Sequence, residues 1–188
     1  MGPGLRRIGL ATLVAAAAGS PAAAQQPARR FFAEGLGGAV IPTFDISDVA
    51  KTGAALGGTL GYRVNDRWVV MGEFDYGFHK DQATGDADIR TLHYIGKLGY
   101  QLLTPKAERG WEALVNLGAG AVTFDVQGAP RNFTYFAINA GAKLAYNFNP
   151  SFAFVLSPQG DIAFGDEAEI LTNNAWVWPV TAGLRVNF

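Results

Sequence analysis

Between residues 68 and 78 the chain alternates without a break. Trp68, Val70, Gly72, Phe74, Tyr76 and Phe78 fall on one face, and Val69, Met71, Glu73, Asp75 and Gly77 on the other. A period of two is that of a β-strand, whose successive side chains point to opposite sides. The same pattern recurs over 92–102, 134–148 and 176–188, each time with one aromatic- and aliphatic-rich face and one polar or small face. Pro179 interrupts the last of these and is expected near a strand end or an irregularity, because it has no N–H to give to a ladder. Weaker alternation over 31–41, 53–64, 111–124 and 152–164 brings the number of predicted strands to eight.

The connections also alternate. Residues 65–67, 103–110 and 149–151 are short or turn-like, whereas 42–52, 80–88, 125–131 and 165–173 run longer. Short turns at one end and longer loops at the other describe an all-β, eight-stranded antiparallel up-and-down barrel. Volume decides which face points inward. An eight-stranded barrel is only just wide enough for side chains to fill, and the aromatic faces are too bulky to fit there together. The Gly-, Thr-, Asn- and Ala-rich face fits. The apolar face therefore points outward into lipid, where a charge costs about 2–4 kcal/mol at the midplane, and the four clear strands place none there. This makes the barrel transmembrane. Aromatics cluster near strand ends: Phe31, Tyr62, Trp68, Tyr100, Trp111, Phe148, Phe152 and Phe188 beside turns or chain ends, and Phe78, Phe124, Phe133, Phe164 and Trp176 beside loops. They are expected to form two interfacial girdles.

The first 24 residues follow a different rule. Arg6 and Arg7 precede an apolar stretch over 8–18, too short to span a membrane, and Ala22-Ala23-Ala24 supplies a small-residue cleavage site. Cleavage between Ala24 and Gln25 is expected, which divides the chain into a signal peptide (1–24), an N-terminal segment (25–30) and the barrel (31–188). Lipoprotein anchoring is not expected, since no Cys follows the cleavage site.

Composition then narrows the function classes. Charged residues make up 16% of the 188, well under the ~25% of ordinary soluble domains, as suits a wall facing lipid. Fifteen basic and 16 acidic residues exclude a basic nucleic-acid-binding domain, and the absence of Cys excludes disulfides and thiolate metal sites.

Charges on the inward face must be paired or hydrated. They are Glu34, Glu73, Asp75, Glu112 and Asp161 against Arg63, Lys97, Lys143 and Arg185. A hairpin centred near Gly85 sets Glu73 opposite Lys97. One centred between Gln127 and Gly128 sets Glu112 opposite Lys143 and Asn116 opposite Asn139. Closure of the last strand on the first brings Arg185 near Glu34. Such a network plugs the barrel; the alternative is a hydrated narrow lumen with unpaired charges.

On these features the chain resembles the small eight-stranded outer-membrane barrels of the OmpA/OmpX and opacity-protein type, over residues 31–188. The most specific element is the terminus from Thr181 through Gly183, Leu184 and Val186 to Phe188, which is similar to the family's assembly signal. The resemblance implies recognition of that strand by the barrel-assembly machinery, and contact with outer-membrane lipid and lipopolysaccharide. Residues 61–68 resemble the family's strand–turn–strand step. No peptidoglycan-binding domain is expected after the barrel, a departure from full-length OmpA-type proteins.

Some barrels of this size act on lipid A, which requires a nucleophile within reach of a base. After the signal the chain has only Ser47, Ser151 and Ser157, with His79 and His93, and lacks the His-x-Ser spacing of the deacylases. Ser47 could approach His79 beside Asp81. His79, His93, Asp81 and Asp86 do not form a metal-ligand motif. The expectation is a non-enzymatic outer-membrane barrel of structural or surface-interaction role, without cofactor, metal or nucleic-acid partner. Its rivals are a narrow channel, a lipid-modifying enzyme and a soluble periplasmic ligand-binding barrel. The loops name no surface partner.

Overall fold

Eight strands with one bulky apolar face have a single way to hide every backbone edge, which is to close on themselves. In the computed structural model they do so. The structure describes residues 29–48, 50–80, 88–105, 109–128, 131–165 and 174–188. The strands are β1 (Phe31–Thr43), β2 (Gly53–Arg63), β3 (Trp68–Lys80), β4 (Asp88–Leu103), β5 (Gly110–Val126), β6 (Phe133–Asn147), β7 (Phe152–Phe164) and β8 (Asn174–Asn187). Each pairs antiparallel with the next, and β8 pairs back on β1, giving a closed up-and-down barrel. All eight match or exceed the ~9–11 residues that a tilted strand needs to cross a bilayer.

The facings follow the alternation. Trp68, Val70, Phe74, Phe78, Leu98, Phe136, Leu144 and Leu184 are exposed on the outer wall, while Val69, Met71, Glu73, Lys97, Lys143 and Arg185 are buried in the lumen. At the turn end Phe31 packs on Tyr62 and Phe188, Trp68 on Tyr100, and Trp111 on Tyr146. At the loop end the expected girdle is corrected. Phe124 and Phe133 have the inward parity of β5 and β6; Phe124 is buried in the lumen cluster and Phe133 packs against it. Position near a strand end had suggested the lipid face, but strand parity controls the facing.

Two registers also differ from expectation, each by two residues. Lys97 lies opposite Met71 and Glu73 opposite Ile95. Lys143 lies opposite Leu114, and Glu112 opposite Ala145. Both hairpins are centred elsewhere than their loop sequences suggested.

Prolines disturb one sector. Pro179 lies inside β8 and not at its end; the β7–β8 ladder is interrupted beside it, and the β6–β7 ladder is interrupted beside Pro158. Lumen side chains supply bonds there: Gln159 Nε2 donates to the Ala142 carbonyl at 3.0 Å, and Thr181 Oγ1 to the Ser157 carbonyl at 3.4 Å.

The first loop is partly folded. A 3₁₀ turn (Phe44–Asp48) follows β1, with Phe44 at φ 59° and its ring edge-on to Trp176. A left-handed phenylalanine is unusual. Here it turns the chain so that Ile46 is buried in the lumen cluster beneath the loop.

Candidate functional site: the charged lumen

Strand parity sends Glu34, Arg63, Glu73, Lys97, Glu112, Lys143 and Arg185 inward, one from each strand except β7. They form a continuous alternating chain. Arg63 Nη2 meets Glu112 Oε2 at 3.3 Å, and Glu112 Oε1 accepts from Arg185 Nη1 at 2.6 Å. Arg185 donates through Nε to Glu34 Oε1 at 2.8 Å. The other oxygen of Glu34 accepts from Lys143 Nζ at 2.5 Å. Lys143 also lies 2.9 Å from Glu73 Oε2, and Glu73 Oε1 pairs with Lys97. The missing strand closes the series, since Lys97 Nζ donates to Gln159 Oε1 of β7 at 3.1 Å. Thr59 sits at the middle, donating to Glu73 at 3.0 Å and accepting from Lys143 at 2.8 Å.

The turn end of this chain is stacked as well as paired. The Phe32 ring lies under two guanidinium groups, 4.4 Å from Arg185 and 4.9 Å from Arg63, a cation–π arrangement that strengthens when desolvated. Room for the longer side chains comes from glycines on the facing strands. A Cβ at Gly57 would collide with the Asp75 carboxylate, and one at Gly141 with the Gln159 amide.

Asp75 and Asp161 lie outside the alternating chain. Asp161 Oδ2 is 2.7 Å from His93 Nδ1, and its Oδ1 accepts from Asn139 Nδ2 at 2.6 Å. Asp75 is the direct cross-strand neighbour of His93, and its Oδ1 has no partner among the described residues; nor have His93 Nε2 and both side-chain polar atoms of Asn116. Beside this layer and toward the loops the lumen becomes apolar: Val40, Ile46, Val122, Phe124 and Val177 pack together, with Tyr135 against them. At the turn end a cavity of about 290 Å³ opens among Arg29, Arg63, Gln101, Glu112 and Asn187.

Glu73 and Lys97 are in contact although diagonal in register, because a lysine stem spans two positions along the neighbouring strand. Arg185 and Glu34 are direct cross-strand partners and paired. Glu112 and Lys143 are not brought together: each finds its opposite charges on other strands. Asn116 lies opposite Gly141, and Asn139 opposite Gly118. Sequence reasoning missed His93 as the partner of Asp161, Gln159 as the link through β7, and Ile46 as a lumen residue. The first two carried a signal, being polar at inward parity; Ile46 in a loop carried none.

Ser47 Oγ donates to the Phe44 carbonyl at 2.6 Å, while His79 is engaged with the Lys51 carbonyl at 2.9 Å and Thr91 Oγ1 at 3.3 Å. No bond joins Ser47 to His79 among the described residues. Asp81 and Asp86 lie outside the described residues, as do Ala24 and Gln25. Among the described residues no group of His, Cys, Asp and Glu is arranged to hold a metal ion.

A closed antiparallel barrel with an aromatic-banded apolar wall and a packed polar lumen is the architecture of an integral outer-membrane protein. The model of the outer membrane protein beta-barrel domain family matches residues 10–188, and the chain belongs to that family. It is a protein of the bacterial outer membrane. Solved structures share the fold. Neisserial surface protein A superposes with a TM-score of 0.62 at 15% identity, over 84% of this chain and 97% of that one. OprG of Pseudomonas aeruginosa gives 0.59 at 15%, over 84% and 95%. The N-terminal β-barrel domain of OprF from the same organism gives 0.53 at 18%, over 87% and 100%. No curated protein matches the chain in sequence.

Proposed function

We propose that this protein is a closed-lumen outer-membrane barrel with a structural or surface-interaction role and no catalytic activity. The observation that carries this reading is the lumen itself. A chain of ion pairs from seven strands, tied to the eighth by the Lys97–Gln159 hydrogen bond, crosses its turn half, and an apolar cluster packs in the half toward the loops. An ion moving through would have to part paired charges and then shed its hydration against Val122 and Phe124. A narrow channel remains the second reading, favoured by the unpartnered polar atoms of Asp75, His93 and Asn116. Planar-bilayer recording separates the two: the closed barrel gives no unitary conductance, and a steady open level refutes closure.

A lipid-modifying activity is disfavoured because Ser47 and His79 are each bonded elsewhere. An unchanged lipid A mass profile on deletion is the corresponding expectation. In this reading residues 1–24 are an export signal cut between Ala24 and Gln25, checked by the mass of the outer-membrane form. Thr181, Gly183, Leu184, Val186 and Phe188 serve the barrel-assembly machinery, and outer-membrane lipid and lipopolysaccharide are the standing partners of the wall.

A further inference from the structure

Arg29, Arg30, Arg63 and Arg67 are among the arginines at the turn end of the barrel, and they are used in two different ways. Arg29 and Arg63 turn toward the mouth and are committed: Arg29 donates to Ser151 Oγ and to the Asn187 carbonyl, and Arg63 to Glu112, Asn187 Oδ1 and the Arg29 carbonyl. Arg30 and Arg67 are exposed and each reaches a tyrosine of the outer wall, Arg30 while also bordering the mouth cavity. Arg67 Nη1 donates to the Tyr100 hydroxyl at 2.7 Å, with its guanidinium 5.9 Å from that ring. Arg30 Nη1 reaches the Tyr62 hydroxyl at 3.4 Å. Neither arginine has a carboxylate within ion-pair distance among the described residues, and one side-chain bond apiece leaves most of their five donors unspent.

The tyrosines set the height of these two cations. Tyr62 and Tyr100 belong to the turn-end girdle, packed on Phe31 and Trp68 respectively, and such rings settle at the headgroup level of a bilayer. Guanidinium groups at that level, on the outer wall and with free planar donors, match a phosphodiester in geometry and charge. The loop end differs. There Arg90 approaches Asp125 at 4.0 Å, and Arg131 lies over the Phe133 ring.

We infer that Arg30 with Tyr62, and Arg67 with Tyr100 and Trp68, form a binding site on the periplasmic rim for the phosphate of an anionic phospholipid of the inner leaflet. This rests on the outer-membrane reading, which puts the short turns on the periplasmic side. A zwitterionic lipid presents the same phosphate but brings a cationic group that the arginines repel. The site therefore selects net negative headgroups, and the selection weakens with salt.

The test uses the barrel refolded into phosphatidylcholine vesicles containing brominated phosphatidylglycerol or brominated phosphatidylcholine. Trp111, Trp176 and Trp178 are replaced by Phe, so that quenching reports on Trp68. Brominated phosphatidylglycerol should be preferred at Trp68 by about fivefold per arginine. Arg30→Gln with Arg67→Gln should remove the preference, and Arg90→Gln should leave it intact. Equal quenching by the two lipids in the otherwise unchanged barrel, or a preference that survives the double substitution, overturns the inference alone. A barrel that fails to insert overturns the proposed function as well, and heat-modifiable migration on a denaturing gel distinguishes the two cases.

Discussion

In the turn half of the lumen, seven charged side chains from seven strands, four basic and three acidic, alternate in a single chain. In the loop half, Val40, Ile46, Val122, Phe124 and Val177 pack together beside the Asp75, His93 and Asp161 group. On the outer wall the turn end carries an aromatic girdle, and at the loop end Phe124 and Phe133 turn inward while Phe44, Phe78, Phe136, Phe164, Trp176 and Trp178 stay outside. The contrast shows two solutions to one problem of volume. Where the strands supply long polar residues, closure needs every partner present, because an unpaired buried ion is expensive. Where they supply Ala, Val and Phe, packing alone closes the barrel and tolerates small losses.

That difference should appear first at Glu34, which joins Arg185 to Lys143. Glu34→Ala takes one of two carboxylates from each of two buried cations, which keep only Glu112 and Glu73, and the loss is expected at about 3–5 kcal/mol, measured by urea unfolding of the refolded barrel in lipid vesicles. Next comes Ile46→Ala in the apolar half. It deletes methylenes beneath a loop that can partly collapse, so about 2 kcal/mol is expected by the same measurement. The smallest change in stability concerns the girdle: Phe152→Ala should cost roughly 1 kcal/mol and leave outer-membrane yield near the parental level. Phe188→Ala should show the opposite balance. Its backbone bonds to Phe31, at 3.1 and 2.9 Å, survive the substitution, so refolding in detergent should be near parental while outer-membrane yield falls sharply. Equal effects of the two substitutions on yield would deny the terminal residue any special role in assembly.

The fold was legible because a period of two needs no knowledge of the partner strand. The strands predicted at 53–64, 68–78 and 152–164 begin at the residues where β2, β3 and β7 begin. Register was harder. It depends on where each loop turns, and both hairpin centres moved by one position, which shifts every pairing by two residues. Lys97 and Glu73 still meet because a long side chain covers a diagonal. Glu112 and Lys143 do not, since each is drawn across the lumen to charges whose proximity is set by barrel closure and stagger. No pairwise sum of residue numbers contains that information. Phe124 teaches the complementary point. Its place near a loop suggested the girdle, yet inward Glu112 and Leu114 on the same strand already fixed its parity.

Whether the lumen charges act as a connected set is tested most directly at the Glu73–Lys97 pair. A double-mutant cycle with Glu73→Gln and Lys97→Met, read as unfolding free energy in vesicles, should give a coupling of about 1–3 kcal/mol, whereas Lys97→Met with Phe152→Ala should be additive. Additivity of Glu73 and Lys97 to within about 0.5 kcal/mol would contradict a connected set.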